Sequence, residues 1–386
     1  MDSSAGVHDE LSELCGDHWA PRQVKVLENP SPLEFLRDCV SCYEPCIIRG
    51  AIDHWPILNA SLDELFAVYA GQVAGGGDEK RIKVNITPDG HGDCVKLIDG
   101  VRTFVYPAET ELTLSAFKAM MEDQRPGDAV PYASLQDNSL AKEFPELLAT
   151  IDSTLPLAQD VFFNPEAARS DAMLRAGEAG ADAGLSAIEA TVAMPEAVNL
   201  WVGDERSVSS MHKDFFENLY CVVTGEKTFT LMPPADMLYL GAQERTFPTA
   251  AYTLPEGRDE SEFNRRIQSS EVNCRAGGEK LVWLDLDPAP GHPQPRLVEQ
   301  FAHPLHVTVR AGEVLYLPAM WLHRVSQTRL TIAVNYWYEQ RFDFRFVYAG
   351  TVRALRNQLQ LRAGEQEQEQ EQESERPPDG QSRELI

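Results

Sequence analysis

Positive charge is scarce in this sequence. Its 34 lysine and arginine residues stand against 60 aspartate and glutamate residues, which gives a formal net charge of −26 at pH 7. Part of this excess lies in the acidic last segment of the chain, GEQEQEQEQESERPPDGQSRELI. No basic cluster is dense enough to hold a row of phosphates, so we expect neither nucleic acid nor an anionic membrane surface as a partner.

Long apolar runs are missing as well. No stretch reaches the roughly 18 apolar residues that a membrane-spanning helix needs, so we expect no membrane span. The first residues, MDSSAGVHDELSEL, are acidic and contain no apolar segment of the kind found in a signal peptide. The seven cysteines show no disulfide-scaffold pattern, which indicates reduced thiols in the cytoplasm or the nucleus.

Three of these cysteines, Cys39, Cys42 and Cys46, form a CxxC-x3-C group. A tetrahedral zinc site would need a second pair of cysteine or histidine ligands, and none follows at a suitable spacing. The group also spans the end of a predicted helix and the start of a predicted strand. We therefore interpret these cysteines as small buried hydrophobic side chains rather than as zinc ligands.

The first 160 residues alternate between helix and strand signals. Ser31 and Ser61 each begin a capping box, with glutamate three residues later, which predicts helices that start at Pro32 and Leu62. Residues 1–30 are predicted to be a poorly structured lead-in. Further elements are predicted as strands over 45–49, 81–87 and 130–136 and as a helix near 114–122.

From Ala197 to Tyr338 the pattern changes to short predicted strands with glycine or proline between them. Helices are predicted before and after these strands, so the fold class is α+β, mainly β, built around a β-barrel or jelly roll. The segment between Pro233 and Pro304 is interpreted as a long loop that is either functional or mobile.

Two segments differ in composition from the rest. Residues 164–190 are rich in alanine and glycine and are interpreted as a surface excursion, and the last residues form an acidic, low-complexity tail that cannot build a core. The predicted organisation is a flexible N-terminus (1–30), a helical and strand part packed on the barrel (31–160), an Ala/Gly-rich insertion (161–191), a barrel core that carries the chemistry (192–343), a C-terminal helix (344–361) and a disordered acidic tail (362–386).

His212 and Asp214 are the first candidates for a functional site. In an extended strand their side chains point to the same face, while that of Lys213 points to the other. If a second histidine joined them, they would form the two-histidine, one-carboxylate triad that holds Fe(II) and leaves coordination positions open. Alone, His-x-Asp is also common as an ordinary surface pair, so the surrounding residues have to decide between these interpretations.

The third ligand is expected from another strand, and His303, His306 and His323 are the candidates. His303 and His306 flank Pro304 before an alternating strand, and we interpret both as loop or surface residues. His323 follows a proline-containing turn in GEVLYLPAMWLHRV, which suits the delivery of a ligand to the mouth of a barrel. The predicted metal set is therefore His212, Asp214 and His323.

Lys227 follows a hairpin signal, and alternation places it on the same side as the apolar residues Phe229 and Leu231. A lysine that points into a core should be paired with an anion, because burial of an unpaired ammonium is costly. The alternative is a position at the frayed end of the strand, from which the ammonium reaches water. Periodicity alone leaves both interpretations open.

Several long, ordered blocks of sequence are more specific than these single motifs. They are PLEFLRDCV, PCIIRGAIDHWP, MPEAVNLWVG, MHKDFFENLYCVVTGEKTF, AGEVLYLPAMWLHRV and IAVNYWY. Through these blocks the chain resembles the JmjC (Jumonji C) family of Fe(II)- and 2-oxoglutarate-dependent oxygenases, over approximately residues 30–160 and 192–350. The resemblance implies a cupin-type double-stranded β-helix, a jelly-roll barrel, with flanking N-terminal and C-terminal helices.

The resemblance also implies roles for individual residues. His212, Asp214 and His323 correspond to the Fe(II) ligands, and 2-oxoglutarate and O2 would be the cosubstrates. The family's cosubstrate lysine falls on Lys227, whose ammonium would pair with the distal carboxylate of 2-oxoglutarate. Ser209 stands where the family usually has threonine and keeps the hydroxyl, while Tyr220 and Asn335 could equally be structural. The further cosubstrate positions that the resemblance implies are Tyr132, Ser209, Asn218, Tyr220 and Asn335.

In the branch that the chain resembles most, the reaction adds a hydroxyl group to C3 of a lysine side chain in GTPases of the developmentally regulated GTP-binding class. The resemblance therefore implies a protein substrate and a lysyl hydroxylase. A lysine demethylase of the same chemistry, a peptidase and an inactive JmjC scaffold remain as alternatives. The resemblance also implies a homodimer through the C-terminal helix, for which Phe346, Val347, Leu355 and Leu359 are available; in a monomer these side chains would cover the barrel instead.

Overall fold

The computed structural model describes residues 3–70, 80–162, 194–240, 244–255, 265–289 and 293–374. The predicted Ala/Gly-rich insertion therefore lies, except for residues 161 and 162, outside the described residues. The helices are α1 (Ser3–His18), α2 (Pro32–Phe35), α3 (Leu62–Ala70), α4 (Leu114–Glu122), α5 (Ser139–Glu143), α6 (Pro156–Gln159), α7 (Arg296–Phe301) and α8 (Phe344–Ser374).

The described strands are more numerous than the described helices. They are β1 (Lys25–Glu28), β2 (Cys46–Arg49), β3 (Arg81–Thr87), β4 (His91–Gly92), β5 (Cys94–Ile98), β6 (Val101–Tyr106), β7 (Ala108–Thr113), β8 (Val130–Tyr132), β9 (Ala197–Gly203), β10 (Val208–Lys213), β11 (Phe216–Thr224), β12 (Glu226–Met232), β13 (Glu244–Thr253), β14 (Asn273–Leu284), β15 (Leu305–Arg310), β16 (Glu313–Leu317), β17 (Leu322–Gln327) and β18 (Thr331–Glu339).

Two sheets form the barrel. One has the strand order β1-β2-β16-β11-β18-β9 and the other the order β15-β12-β17-β10-β4. Side chains from both sheets, among them Tyr220, Leu315, Phe229 and Val325, share one buried hydrophobic cluster, so the sheets pack face to face. The prediction of an α+β, mainly β, jelly-roll fold is confirmed.

The N-terminal part covers the outer face of the larger sheet. Strand β11 shows this directly: Leu219 and Cys221 pack with Phe35, Ile48 and other N-terminal residues, whereas the side chain between them packs inside the barrel. Because successive residues of a strand point to opposite faces, β11 is buried on both sides. The larger sheet therefore packs against the barrel core on one face and against the N-terminal layer on the other.

Both predicted capping boxes are present. The backbone N–H of Ser31 donates to Glu34 Oε2 at 2.8 Å, and the backbone N–H of Glu34 donates to Ser31 Oγ at 3.3 Å. Ser61 and Glu64 make the same reciprocal pair at 2.8 and 3.3 Å. The predicted burial of the cysteine group holds for two of its three members. Cys39 and Cys46 are fully buried, whereas Cys42 is partly buried.

The prediction of a poorly structured lead-in over 1–30 is wrong, because α1 and β1 lie within it. Cys15 and Ala20 pack with Ala235, and the Trp19 ring lies 6.0 Å from that of Trp321. Apolar residues are sparse in this segment, and Cys15 and Trp19 contact partners more than 200 positions away, while β1 pairs with β2. The local sequence pattern does not predict contacts with such distant partners.

The interpretation of residues 233–304 as a loop is also wrong. Strands β13 and β14 pair with each other in antiparallel register, and β13 pairs with β6 in parallel. Strand β14 is exposed along most of its length. Its sequence therefore does not need the alternating apolar pattern that predicts a half-buried strand. Pairing of its backbone with β13, rather than burial of its side chains, keeps it extended.

The predicted disordered tail begins too early. Helix α8 continues past residue 361 as far as Ser374. Glutamate and glutamine cannot build a core, but both have high helix propensity, so they extend a helix whose first turns are already fixed. No helix among the described residues is both long enough and apolar enough to cross a membrane.

Candidate metal centre and cosubstrate pocket

The three predicted metal ligands come together where β10 and β17 run side by side. His212 lies directly opposite His323 in the antiparallel register, and their ring centroids are 4.2 Å apart. Asp214 follows the last residue of β10, and its Oδ2 lies 3.5 Å from His323 Nε2. The potential ligand atoms of all three residues lie within 4.8 Å of one another.

Both imidazole rings are oriented by a hydrogen bond to a backbone carbonyl oxygen. His212 Nδ1 lies 2.6 Å from the carbonyl oxygen of Ser210, and His323 Nδ1 lies 3.1 Å from the carbonyl oxygen of Trp321. A carbonyl oxygen can only accept a hydrogen bond, so each Nδ1 carries the proton and each Nε2 keeps its lone pair for a metal. The ring of Trp283 stacks on His212 with centroids 6.1 Å apart.

The charges of the cluster suit a divalent cation. Burial, reinforced by the neighbouring His323, lowers the pKa of His212 to about 4, so this imidazole is neutral at pH 7. Burial tends to raise the pKa of Asp214, but the neighbouring His323 and His212 outweigh that effect and leave it below its ordinary value. Two imidazoles and one carboxylate are the donor set of the facial triad that holds Fe(II).

Lys227 is the second unusual charge of this region. Its side chain is 1% exposed, its Nζ donates a hydrogen bond to Tyr132 Oη at 2.8 Å, and the ammonium lies 5.1 and 5.7 Å from the ring centroids of Tyr132 and Tyr220. No carboxylate within the described ranges forms an ion pair with it. Burial lowers the pKa of Lys227 to about 7. The inward orientation is confirmed, and no carboxylate of the described residues stabilises the ammonium.

Further hydroxyl groups lie near the one that contacts this ammonium. Those of Ser209 and Tyr220 lie near the Tyr132 hydroxyl, whose pKa is raised above its ordinary value by burial. A Cβ atom on Gly203 would lie only 2.7 Å from Tyr132 Cδ2, so glycine is required for the tyrosine to take this position. Hydroxyl groups beside an ammonium form a suitable set of donors for a carboxylate.

The two predicted asparagines are linked to each other. Asn335 Nδ2 donates to Asn218 Oδ1 at 3.2 Å, and Trp201 Nε1 donates to Asn335 Oδ1 at 2.8 Å. Asn335 also lies opposite Tyr220 in the register of β11 and β18. The asparagines therefore orient each other at the wall of the pocket. This arrangement is compatible with a structural role and with a role in cosubstrate binding.

One cavity of about 350 Å³ connects these groups. Every predicted site residue except Lys227 lines it, and Lys227 lies directly behind the hydroxyl of Tyr132. The roles of these residues stay predictions, but the structure brings all of them together. Lining residues that the sequence did not reveal are Asp93, Phe104, Tyr106, Trp201 and Trp283.

The two rejected histidines lie elsewhere. His303 Nδ1 is 3.0 Å from Asp236 Oδ1, and His306 Nδ1 is 3.1 Å from Thr230 Oγ1. Neither lines the cavity. Sequence patterns gave little indication that the missed residues line the cavity, since Trp283 lies in the segment interpreted as a loop and Asp93 lies in a tight turn.

These observations define a class of protein. A jelly-roll barrel with a His–Asp–His cluster in its cavity and an unpaired inward lysine beside it is the architecture of a cupin-type 2-oxoglutarate oxygenase. The chain belongs to the JmjC cupin family: the family model described as "Cupin-like domain" matches residues 32–344.

Three relatives are similar over most of their length. The human bifunctional peptidase and (3S)-lysyl hydroxylase JMJD7 is 36% identical over 338 residues, which cover 87% of this chain and 89% of the human protein. The lysine-specific demethylase JMJ32 of Arabidopsis thaliana is 33% identical, with 84% of each chain covered. The JmjC domain-containing protein E of Dictyostelium discoideum is 30% identical, with 90% of this chain and 93% of that protein covered.

Proposed function

We propose that this protein is an Fe(II)- and 2-oxoglutarate-dependent hydroxylase that acts on C3 of a lysine side chain in a partner protein, such as a GTPase of the developmentally regulated GTP-binding class. The observation that carries the proposal is one cavity that joins a two-histidine, one-carboxylate donor set to the buried ammonium of Lys227, which pairs with no carboxylate of the described residues. The name of the human relative, a (3S)-lysyl hydroxylase, supports lysine as the target and C3 as the position of hydroxylation.

The residues fit the metal and the cosubstrate chemically. His212, Asp214 and His323 would hold Fe(II), and Lys227 with the hydroxyls around it would take the distal carboxylate of 2-oxoglutarate. When bound, iron and 2-oxoglutarate supply the oxidation, in which O2 is consumed, 2-oxoglutarate becomes succinate and CO2, and one oxygen atom enters the substrate.

The chain's own contribution is orientation and charge. Carbonyl oxygens of Ser210 and Trp321 keep the Nε2 atoms of the two histidines turned toward the metal position. Lys227 fixes the cosubstrate end by charge, and the aromatic ring of Trp283 beside His212 helps to keep water from the reacting side chain.

The reaction is tested by mass spectrometry of candidate peptides. We expect the purified protein, supplied with Fe(II), ascorbate and 2-oxoglutarate, to add about 16 Da, the mass of one oxygen atom, to a lysine of a partner GTPase peptide. The same peptide with arginine at that position and a reaction without 2-oxoglutarate serve as controls. Absence of any oxidised lysine across peptides from these GTPases contradicts the proposal.

A lysine demethylase is the second candidate, because the Arabidopsis relative carries that name. Its signature in the same experiment is the loss of about 14 Da from a methyl-lysine peptide, since the hydroxylated methyl group leaves as formaldehyde. The human relative is also named a peptidase, and peptide cleavage would be visible in the same spectra. Within the described residues, the His–Asp–His cluster is the group of side chains arranged to hold a metal, so a metal-dependent peptidase would have to use it too.

We also propose that the protein forms a homodimer through the start of α8. Phe344 and Val347 are 74% and 64% exposed there, and Phe342 just before the helix is 68% exposed. Three large apolar side chains in six residues form a patch that a second copy would cover. We expect light scattering to give twice the chain mass, and the double variant F344S/V347S to give the single-chain mass. A wild-type protein of single-chain mass at micromolar concentration contradicts the dimer.

A further inference from the structure

An acidic side chain lies in a fixed position beside the metal-ligand strand. Asp93 follows β4, and β4 runs parallel to β10 with Gly92 opposite Ser209. The backbone of Asp93 is left-handed (φ 48°), and its carbonyl oxygen accepts a hydrogen bond from Ser210 Oγ at 2.5 Å. Because Ser210 precedes His212 by two residues on the same strand, the turn that carries Asp93 is tied to the metal centre.

The carboxylate of Asp93 has no counter-ion among the described residues. Burial raises the pKa of Asp93 to about 6, and the nearby charge that adds to this effect, Glu109, is itself negative. Two lysines of the surrounding strands are already engaged: Lys96 Nζ lies 2.7 Å from Asp89 Oδ1, and Lys213 Nζ lies 2.9 Å from Glu244 Oε1. A half-buried carboxylate in this cavity is therefore open to a cation from outside the chain.

Aromatic rings connect this part of the cavity to the metal centre. The ring centroid of Phe104 is 4.9 Å from that of Tyr106 and 4.7 Å from that of Trp283, and Trp283 in turn stacks on His212. All of these residues line the cavity together with Asp93. Aromatic walls suit a side chain that has an apolar stem and a cationic end, because they pack against methylene groups and attract an ammonium.

The geometry points to Asp93 as the residue that recognises the substrate's cationic end, through an ion pair between its carboxylate and the substrate ammonium. In this arrangement Lys227, behind Tyr132, meets the anionic cosubstrate and Asp93 meets the cationic substrate. The inference rests on the proposed function in that it takes the reacting side chain to be a lysine. It adds a specificity-determining residue that the choice of reaction does not require.

The first test is binding of a small probe. The variant Asp93→Asn removes the charge but keeps a residue that tolerates positive φ, so it should fold. Asp99→Asn is the matched control, because Asp99 has the same φ of 48° in an exposed turn outside the cavity. We expect the wild type to prefer the n-pentylammonium ion over 1-pentanol in NMR titrations, and Asp93→Asn to lose about tenfold in affinity for the ammonium. Equal binding of ammonium by wild type and Asp93→Asn, or no preference in the wild type, overturns the inference.

The second test uses the lysine peptide that the mass spectrometric experiment identifies. We expect Asp93→Asn to raise KM for this peptide about tenfold or more, with a smaller change in kcat and an unchanged KM for 2-oxoglutarate. Lysine hydroxylation with the same peptide KM in both proteins contradicts the role of Asp93 and leaves the proposed function intact. If no lysine is hydroxylated while ammonium binding still depends on Asp93, the proposed function fails and the cation site stands.

Discussion

Asp214→Ala is expected to leave a folded protein with no measurable turnover. Asp214 is the anionic member of the metal cluster, and without it two imidazoles remain to hold a divalent cation. Loss of a residue that only supports a metal ligand typically costs 10- to 100-fold, so loss of the ligand itself should cost more than about 100-fold in metal affinity and in activity. Succinate formation and a metal titration measure the two effects.

The fold should survive this change for a local reason. The backbone carbonyl of Asp214 accepts a hydrogen bond from the N–H of Met320 at 2.8 Å, and alanine keeps that bond. Asp287→Ala is the control, because Asp287 forms an ion pair with Arg324, the neighbour of His323, without lining the cavity. The control should retain activity. Full activity of Asp214→Ala, or equal losses in both variants, contradicts the assignment of the metal centre.

The sequence predicted the site better than it predicted the path of the chain. Alternation along β12 put Lys227 on the same side as the apolar residues of the strand, but it left open whether the ammonium is buried or reaches water. The structure shows that the side chain is buried. The strand argument for His212 and Asp214 was only partly correct. The structure ends β10 at Lys213, and a bulge interrupts the register between Ser209 and His212, so Asp214 reaches the cluster from the connection that follows the strand.

The elements that the sequence did not predict depend on distant partners. Helix α1 packs against Ala235 and strand β14 is held extended by β13, and neither contact leaves a local pattern. The same is true of Asp93 and Trp283, which are brought to the cavity by strand pairing across many residues. Spacing and periodicity predict which side of an element a residue occupies, but they do not predict which elements become neighbours.

Lys227→Met is expected to make the protein more stable and to weaken 2-oxoglutarate binding strongly. Without cosubstrate the Lys227 ammonium is buried with a tyrosine hydroxyl and two aromatic rings and pairs with no carboxylate of the described residues, so its burial lowers the stability of the fold. Methionine has similar length and needs no counter-ion. In the presence of 2-oxoglutarate the substitution becomes unfavourable. Removal of one partner of a buried charge pair should raise the Kd for 2-oxoglutarate by at least about 30-fold.

The pH dependence of stability distinguishes this explanation from simple repacking. The pKa of Lys227 is about 7 in the folded protein and 10.5 ordinarily, so the folded state binds fewer protons between these values. The destabilising contribution is therefore complete below pH 7 and disappears as the pH rises to 10.5. At about 1.4 kcal/mol for each pKa unit, it amounts to a few kcal/mol. The gain in stability of Lys227→Met should be largest near pH 7 and small near pH 10.

Denaturant unfolding at the two pH values and calorimetric titration with 2-oxoglutarate measure both halves of the prediction. Lys83→Met is the control, since Lys83 lies on β3 at the surface and pairs with Glu143 at 2.8 Å. It should change neither 2-oxoglutarate affinity nor the pH profile of stability. A stabilisation of Lys227→Met that is the same at both pH values would show that packing rather than charge is the cause. Unchanged 2-oxoglutarate affinity would remove Lys227 from the cosubstrate site, because no other buried ammonium in the described part of the chain lies beside this cavity.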